Sequence, residues 1–210
     1  MTVLLYPGAG SDSSHSSLVA IERWIAPHRC VRADFPYRKQ GRRAPDRAPA
    51  LLASIREELV DISSDEPLVI GGRSMGGRMC SMIAAGVDGL PAPANLRGLV
   101  LISYPLHPPG KPDQLRVDHL SGIGVPTLFI SGTKDTFGTP DEIRHWTAAM
   151  PRRARVQHLF IDGKGHDLKG AAHPIGRRSS WRRSATSSPS SAPTDHSSWV
   201  VDRWAGACAR

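Results

Sequence analysis

The sequence predicts an α/β fold: a mostly parallel sheet of about six strands with helices on both faces, in three layers. Two observations carry this. Short apolar runs alternate with segments whose apolar residues recur at helical spacing, the pattern of parallel strands joined by crossover helices. One of those runs, Leu68-Val69-Ile70-Gly71, leads through Gly72-Arg73-Ser74-Met75-Gly76 into a helix-like stretch at 78–87. Strand, sharp turn and helix thus follow one another without a break.

The elements read in order. Thr2-Val3-Leu4-Leu5-Tyr6 is the first strand. After a loop, residues 17–26 place Leu18, Ile21 and Ile25 on one helical face, and 30–35 form a second strand. Residues 36–49 are a basic loop. Leu51, Leu52, Ile55, Leu59 and Ile62 mark a helix over 47–62. Residues 99–103 form a buried strand, 104–112 a proline-rich loop and 113–120 a short helix. The last strands are 125–131 and 156–161, with a helix over 140–150 between them; Pro140 suits its first turn. No segment is long enough for a large lid, so the 104–120 loop is the candidate cover for a pocket.

The Gly-x-Ser-x-Gly turn carries the chemistry. A serine at the apex of a strained turn leaves no room for Cβ atoms two residues before and after it. The hydroxyl then stands exposed near a helix N-terminus, where free backbone N–H groups can meet a developing oxyanion. Serine is a weak nucleophile until an oriented base takes its proton. Two later strand ends supply the partners: Asp135 follows the strand at 125–131, and His166 lies in Asp162-Gly163-Lys164-Gly165-His166 after the last strand. The order Ser74, Asp135, His166 is the one this topology uses, and sites in open parallel sheets form at the carboxyl ends of strands. The simpler readings are a turn-forming Asp135 and a surface His166, with His173 as a second candidate base. Candidate pocket residues are His15, Arg73 and His107, with Asp12 nearby in sequence.

Five segments extend this into a family resemblance: Tyr6-Pro7-Gly8-Ala9-Gly10, Gly72 to Arg78, Tyr104 to Pro112, Ser131 to Gly138 and Gly163 to Leu168. Over residues 1 to about 170 the chain resembles the α/β-hydrolases, and most of all the small dienelactone-hydrolase-like bacterial proteins related to a subunit of a chromatin (non-specific lethal) complex. The resemblance implies an oxyanion hole from the N–H groups of Met75 and Ala9, with Pro7 standing where the family commonly has histidine. It also implies a sheet trimmed of its antiparallel N-terminal hairpin, because the family usually has eight strands. Dienelactone hydrolases use cysteine at the elbow; Ser74 points to esterase-like chemistry.

Bulk properties narrow the classes. The chain has 210 residues and a net charge of +8. Its basic clusters, such as Arg38-Lys39-Gln40-Gly41-Arg42-Arg43, lack the aromatic interleaving of a nucleic-acid surface, so no nucleic-acid partner is expected. No apolar run approaches the roughly 20 residues of a membrane span, and no basic-then-apolar leader opens the sequence. Cys30, Cys80 and Cys208 are an odd, widely spaced set, which argues against a disulfide framework or zinc site and fits a reducing cytoplasm. No cofactor or metal is expected.

From about residue 171 the composition turns to Ser, Arg and Pro, which cannot bury a core. Residues 171–210 are read as a low-complexity tail with a weak helix over 197–209: a genuine linker, or a diverged or frame-shifted end where the family packs an amphipathic helix, the latter two being favoured. The functional expectation is a serine hydrolase acting on a small acyl substrate. The alternative from another class is a non-catalytic α/β-hydrolase scaffold for protein contacts, and the complete set of Ser74, Asp135 and His166 favours the enzyme.

Overall fold

A computed structural model describes residues 1–170; the expected tail, its terminal helix and His173 lie outside the described residues. Six strands form one sheet in the order β2-β1-β3-β4-β5-β6: β1 (Thr2–Tyr6), β2 (Arg29–Arg32), β3 (Leu68–Arg73), β4 (Leu96–Ile102), β5 (Thr127–Gly132) and β6 (Gln157–Ile161). Every pairing is parallel.

Alternation along the strands builds two cores. Val3 and Leu5, Val100 and Ile102, and Leu128 and Ile130 belong to one apolar cluster. Leu4 and Tyr6, Leu99 and Leu101, and Phe129 belong to the other. Side chains two apart share a sheet face, so the strands are apolar throughout only because both faces are covered. Helix α1 (Ser16–Ile25) joins the first cluster through Leu18, Ile21 and Ile25. Helices α3 (Ala48–Val60), α4 (Met75–Ala84) and α5 (Pro140–Thr147) join the second through Leu51, Leu52 and Ile55, Met79 and Ile83, and Ile143. These are the three layers the alternating pattern predicts.

The strand order reverses between β1 and β3, because α1 leads from β1 to β2 and α3 returns past β1 to β3. A crevice opens at such a switch point, outside the carboxyl ends of the two strands. The loop after β1 and the turn after β3 are therefore neighbours.

Two local readings change. Residues 36–49 contain a four-residue helix, α2 (Pro36–Lys39), whose Tyr37 is fully buried against Phe35. The expected helix over 113–120 is instead a turn-rich loop ending in one 3₁₀ turn, Leu120–Gly122. Its backbone groups bond elsewhere: Arg116 N–H donates to Leu106 O at 2.8 Å, and Arg116 O accepts from Tyr104 Oη at 2.8 Å. Loop 104–116 is thereby closed on itself. The basic run at 38–43 meets acids locally, Arg38 with Asp12, Lys39 with Glu58 and Arg42 with Asp46.

Two half-buried histidines fasten these parts. His119 bonds Ser81 Oγ on α4 through Nε2 at 2.7 Å, and His158 on β6 bonds Thr147 Oγ1 on α5 at 2.9 Å between the rings of Phe129 and Phe160. Burial, aided by Arg78 near His119 and Arg144 near His158, pushes each imidazole down from 6.5 to about 4. Both rings are thus neutral in the fold, while the unfolded chain takes up their protons below about pH 6.5. The unfolded state binds more protons between those values, so stability falls as pH drops from about 6.5 to about 4. Denaturant titrations should show a loss on the order of a kcal/mol or two per histidine over that window. His158→Gln, which keeps a donor for Thr147, should flatten the slope; an unchanged slope would rule His158 out as a contributor.

Candidate active site

The turn after β3 is built by steric exclusion. Ser74 sits at φ 49°, ψ −116°, outside the ordinary regions for a side-chain-bearing residue. A Cβ on Gly72 would stand 2.1 Å from Tyr6 O, and one on Gly76 2.5 Å from the carbonyl oxygens of Tyr6 and Pro7. Both glycines are required because β1 and its loop press against the turn, as the spacing predicts. Ser74 N–H donates to Ile102 O at 2.8 Å, which pins the turn to β4. A serine at the head of a helix ordinarily gives its side-chain oxygen to a first-turn amide. Ser74 makes no such cap, so its oxygen is left for another partner.

That partner is His166. Its Nε2 lies 2.9 Å from Ser74 Oγ, and its Nδ1 lies 2.9 and 3.0 Å from the two oxygens of Asp135. Asp135 is 2% exposed and also accepts Phe137 N–H at 2.9 Å. An ionised carboxylate only accepts, so the ring proton belongs on Nδ1 and Nε2 is free to accept the serine hydroxyl. The structure thus brings together Ser74, Asp135 and His166, which are 31 to 92 positions apart.

The loops carrying Asp135 and His166 are clasped to one another. Thr133 Oγ1 donates to Asp162 and accepts Gly163 N–H, and Lys134 N–H donates to Lys164 O at 2.8 Å. A Cβ on Gly132 would lie 2.0 Å from Lys164 O, so the end of β5 admits the His166 loop only because residue 132 is glycine. Phe137 adds a contact that sequence reasoning missed. Its ring stacks on the His166 imidazole, centroids 3.9 Å apart and planes 25° apart. The only sequence signal is an aromatic residue two positions after Asp135.

The Gly8-Ala9-Gly10 turn packs against Ser74: a Cβ on Gly8 would lie 3.3 Å from the serine Cβ. Ala9 is exposed, and Met75 opens α4, where first-turn amides have no intrahelical acceptor. Of the other candidates, His15 caps α1 by accepting Ser17 N–H, and burial followed by Arg73 holds its imidazole below the usual range. Arg73 Nη2 donates to His166 O at 3.2 Å. His107 is buried, with Nδ1 2.9 Å from Pro108 O and Nε2 3.4 Å from Glu142. Asp12 is spent on Ser14 and Arg38. Cys80, six positions after Ser74, is placed as a packing residue: it is fully buried, its thiol donates to Gly71 O, and burial raises its pKa. Among the described residues no helix is long and apolar enough to cross a membrane.

Comparison with known proteins follows the same lines. Solved structures with this fold include an alpha-beta serine hydrolase homologue from Coxiella burnetii, 13% identical with a TM-score of 0.63 over 81% of this chain and 78% of that one. A monoacylglycerol lipase from Paleococcus ferrophilus is 15% identical, with a TM-score of 0.62 over 80% and 87% of the two chains. A thermophilic esterase from Thermogutta terrifontis is 16% identical, with a TM-score of 0.57 over 80% and 83%. At such identities the likeness speaks for the fold. A family model described as an alpha/beta hydrolase domain matches residues 1–187. The chain belongs to the alpha/beta hydrolase family.

Proposed function

We propose that this protein is a serine hydrolase that opens an ester, thioester or related acyl bond through an acyl-enzyme. The observation that carries the reading is the unbroken hydrogen-bond chain from Ser74 Oγ through His166 to the buried Asp135 carboxylate. Ser74 Oγ attacks the acyl carbonyl while His166 Nε2 takes its proton. Asp135 holds the ring and balances the imidazolium. The N–H groups of Met75 and Ala9 receive the oxyanion. Collapse expels the alcohol or thiol, which takes the proton from His166, and water then opens the acyl-enzyme with the same base. Each step is supplied by side chains and backbone, so the reading requires no cofactor or metal.

The finer placement, in the small dienelactone-hydrolase-like branch related to the chromatin-complex subunit, rests on the motifs at 6–10, 72–78, 104–112, 131–138 and 163–168. Domain limits of 1–170 for the hydrolase unit and 171–210 for the tail, a small acyl substrate and a cytoplasmic setting complete the proposal. A fluorophosphonate probe tests the core of it, because it reports an activated serine without knowledge of the substrate. Labelling of the intact protein at Ser74 is expected. An unlabelled, folded protein would favour the non-catalytic scaffold.

A further inference from the structure

We infer that Arg73 is a positioning residue for this chemistry: its guanidinium bonds the backbone of the loop carrying His166 while packing beside the turn carrying Ala9, on either side of Ser74. The inference rests on the hydrolase reading above. Arg73 is the last residue of β3 and the neighbour of Ser74. Side chains alternate along a strand, and Val69 lies on the α1 side of the sheet, so Arg73, four positions later, falls on that side. There its Nη2 donates to the His166 carbonyl at 3.2 Å, across 93 positions of sequence. Its Nη1 lies against the other loop, where a Cβ on Gly8 would come within 2.7 Å of it.

Among the described residues the arginine is not half of a salt bridge: no carboxylate lies within ion-pair distance of it, and Nε is buried with no hydrogen-bond partner. Asp167 and Asp135 act on it only from farther away, against burial that disfavours its charge. An apolar side chain would fill the space without that cost. What the guanidinium adds is a planar fork, one nitrogen of which bonds the His166 carbonyl while another fills the space beside Gly8, which the single ammonium of lysine does not reproduce. The backbone it holds needs holding: His166 follows Gly163 and Gly165 in a loop, and a shift of about 1 Å in a reacting group costs up to about 10²-fold in rate.

The test compares wild type, Arg73→Lys and Arg73→Met on a neutral short-chain p-nitrophenyl ester and on one of similar length ending in a carboxylate. Thermal midpoints and the downfield proton NMR signal of the His166 Nδ1–H are measured on the same samples. Arg73→Met should lower kcat about 10- to 100-fold on both esters, with KM nearly unchanged. It should also broaden or remove the downfield signal while the protein stays folded. Arg73→Lys should recover part of both. Wild-type kcat in a folded Arg73→Met would overturn the inference. So would a rise in KM confined to the anionic ester, which would make Arg73 a substrate-binding residue. A wild type inert to every ester and to fluorophosphonate defeats the hydrolase reading instead, and the NMR signal still reports whether Arg73 holds His166.

Discussion

Ser74→Ala should lower ester turnover about 10⁴-fold or more and abolish fluorophosphonate labelling, with the fold intact. The size follows from the geometry. Ser74 Oγ accepts no helix-capping bond, and its one partner among the described residues is His166 Nε2 at 2.9 Å. Removing it deletes the proposed nucleophile without stripping a buried partner from the scaffold. Alanine tolerates φ 49° no worse than serine, since both carry a Cβ, and the N–H bond to Ile102 O remains. The thermal midpoint should therefore stay within a few degrees of wild type. Short p-nitrophenyl esters, with probe labelling on the same samples, give the measurement. Equal activity in variant and wild type would remove Ser74 from the site.

Asp135→Asn should be nearly as costly, about 10³- to 10⁴-fold in kcat, with little change in KM. Both carboxylate oxygens lie within 3.0 Å of His166 Nδ1, and one also takes Phe137 N–H. The amide replaces one of these acceptors by a donor. With Phe137 N–H holding the amide oxygen, the NH₂ faces the ring. Nδ1 must then accept, and the single proton of the neutral imidazole moves to Nε2, where it points at Ser74 and blocks general-base action. Asparagine is close to isosteric, so the loss should appear without unfolding. A variant within tenfold of wild type would show that another acid orients His166.

Much of the scaffold was legible because its causes are local. Alternating apolar residues in β1, β4 and β5 serve two covered faces, and the helical spacing of Leu18, Ile21 and Ile25 or of Leu51, Leu52 and Ile55 reads directly as a buried stripe. The elbow was legible because a strained turn pressed against a neighbouring strand excludes every side chain at 72 and 76. Asp135 and His166 could be named because a parallel sheet delivers its loops to one edge. The errors lie where long-range bonds overrule local propensity. Residues 113–120 spell a weak helix, yet Tyr104 and Leu106 engage the Arg116 backbone first. In the basic loop, Tyr37 is drawn into the core with Phe35, and that burial winds α2.

The sequence by itself determined the layered α/β fold, the serine-bearing turn and which residue types stand ready at the strand ends, because hydrophobic period and steric exclusion act between neighbours along the chain. Only the tertiary structure decided that both Asp135 oxygens face His166 Nδ1, that Phe137 covers the imidazole and that Arg73, packed beside Gly8, bonds the His166 carbonyl. Those contacts join separate loops at distances set by how β1, β3, β5 and β6 pack side by side. Hydrogen bonds and ring stacking depend on ångström-scale placement, and no periodicity in the sequence encodes it.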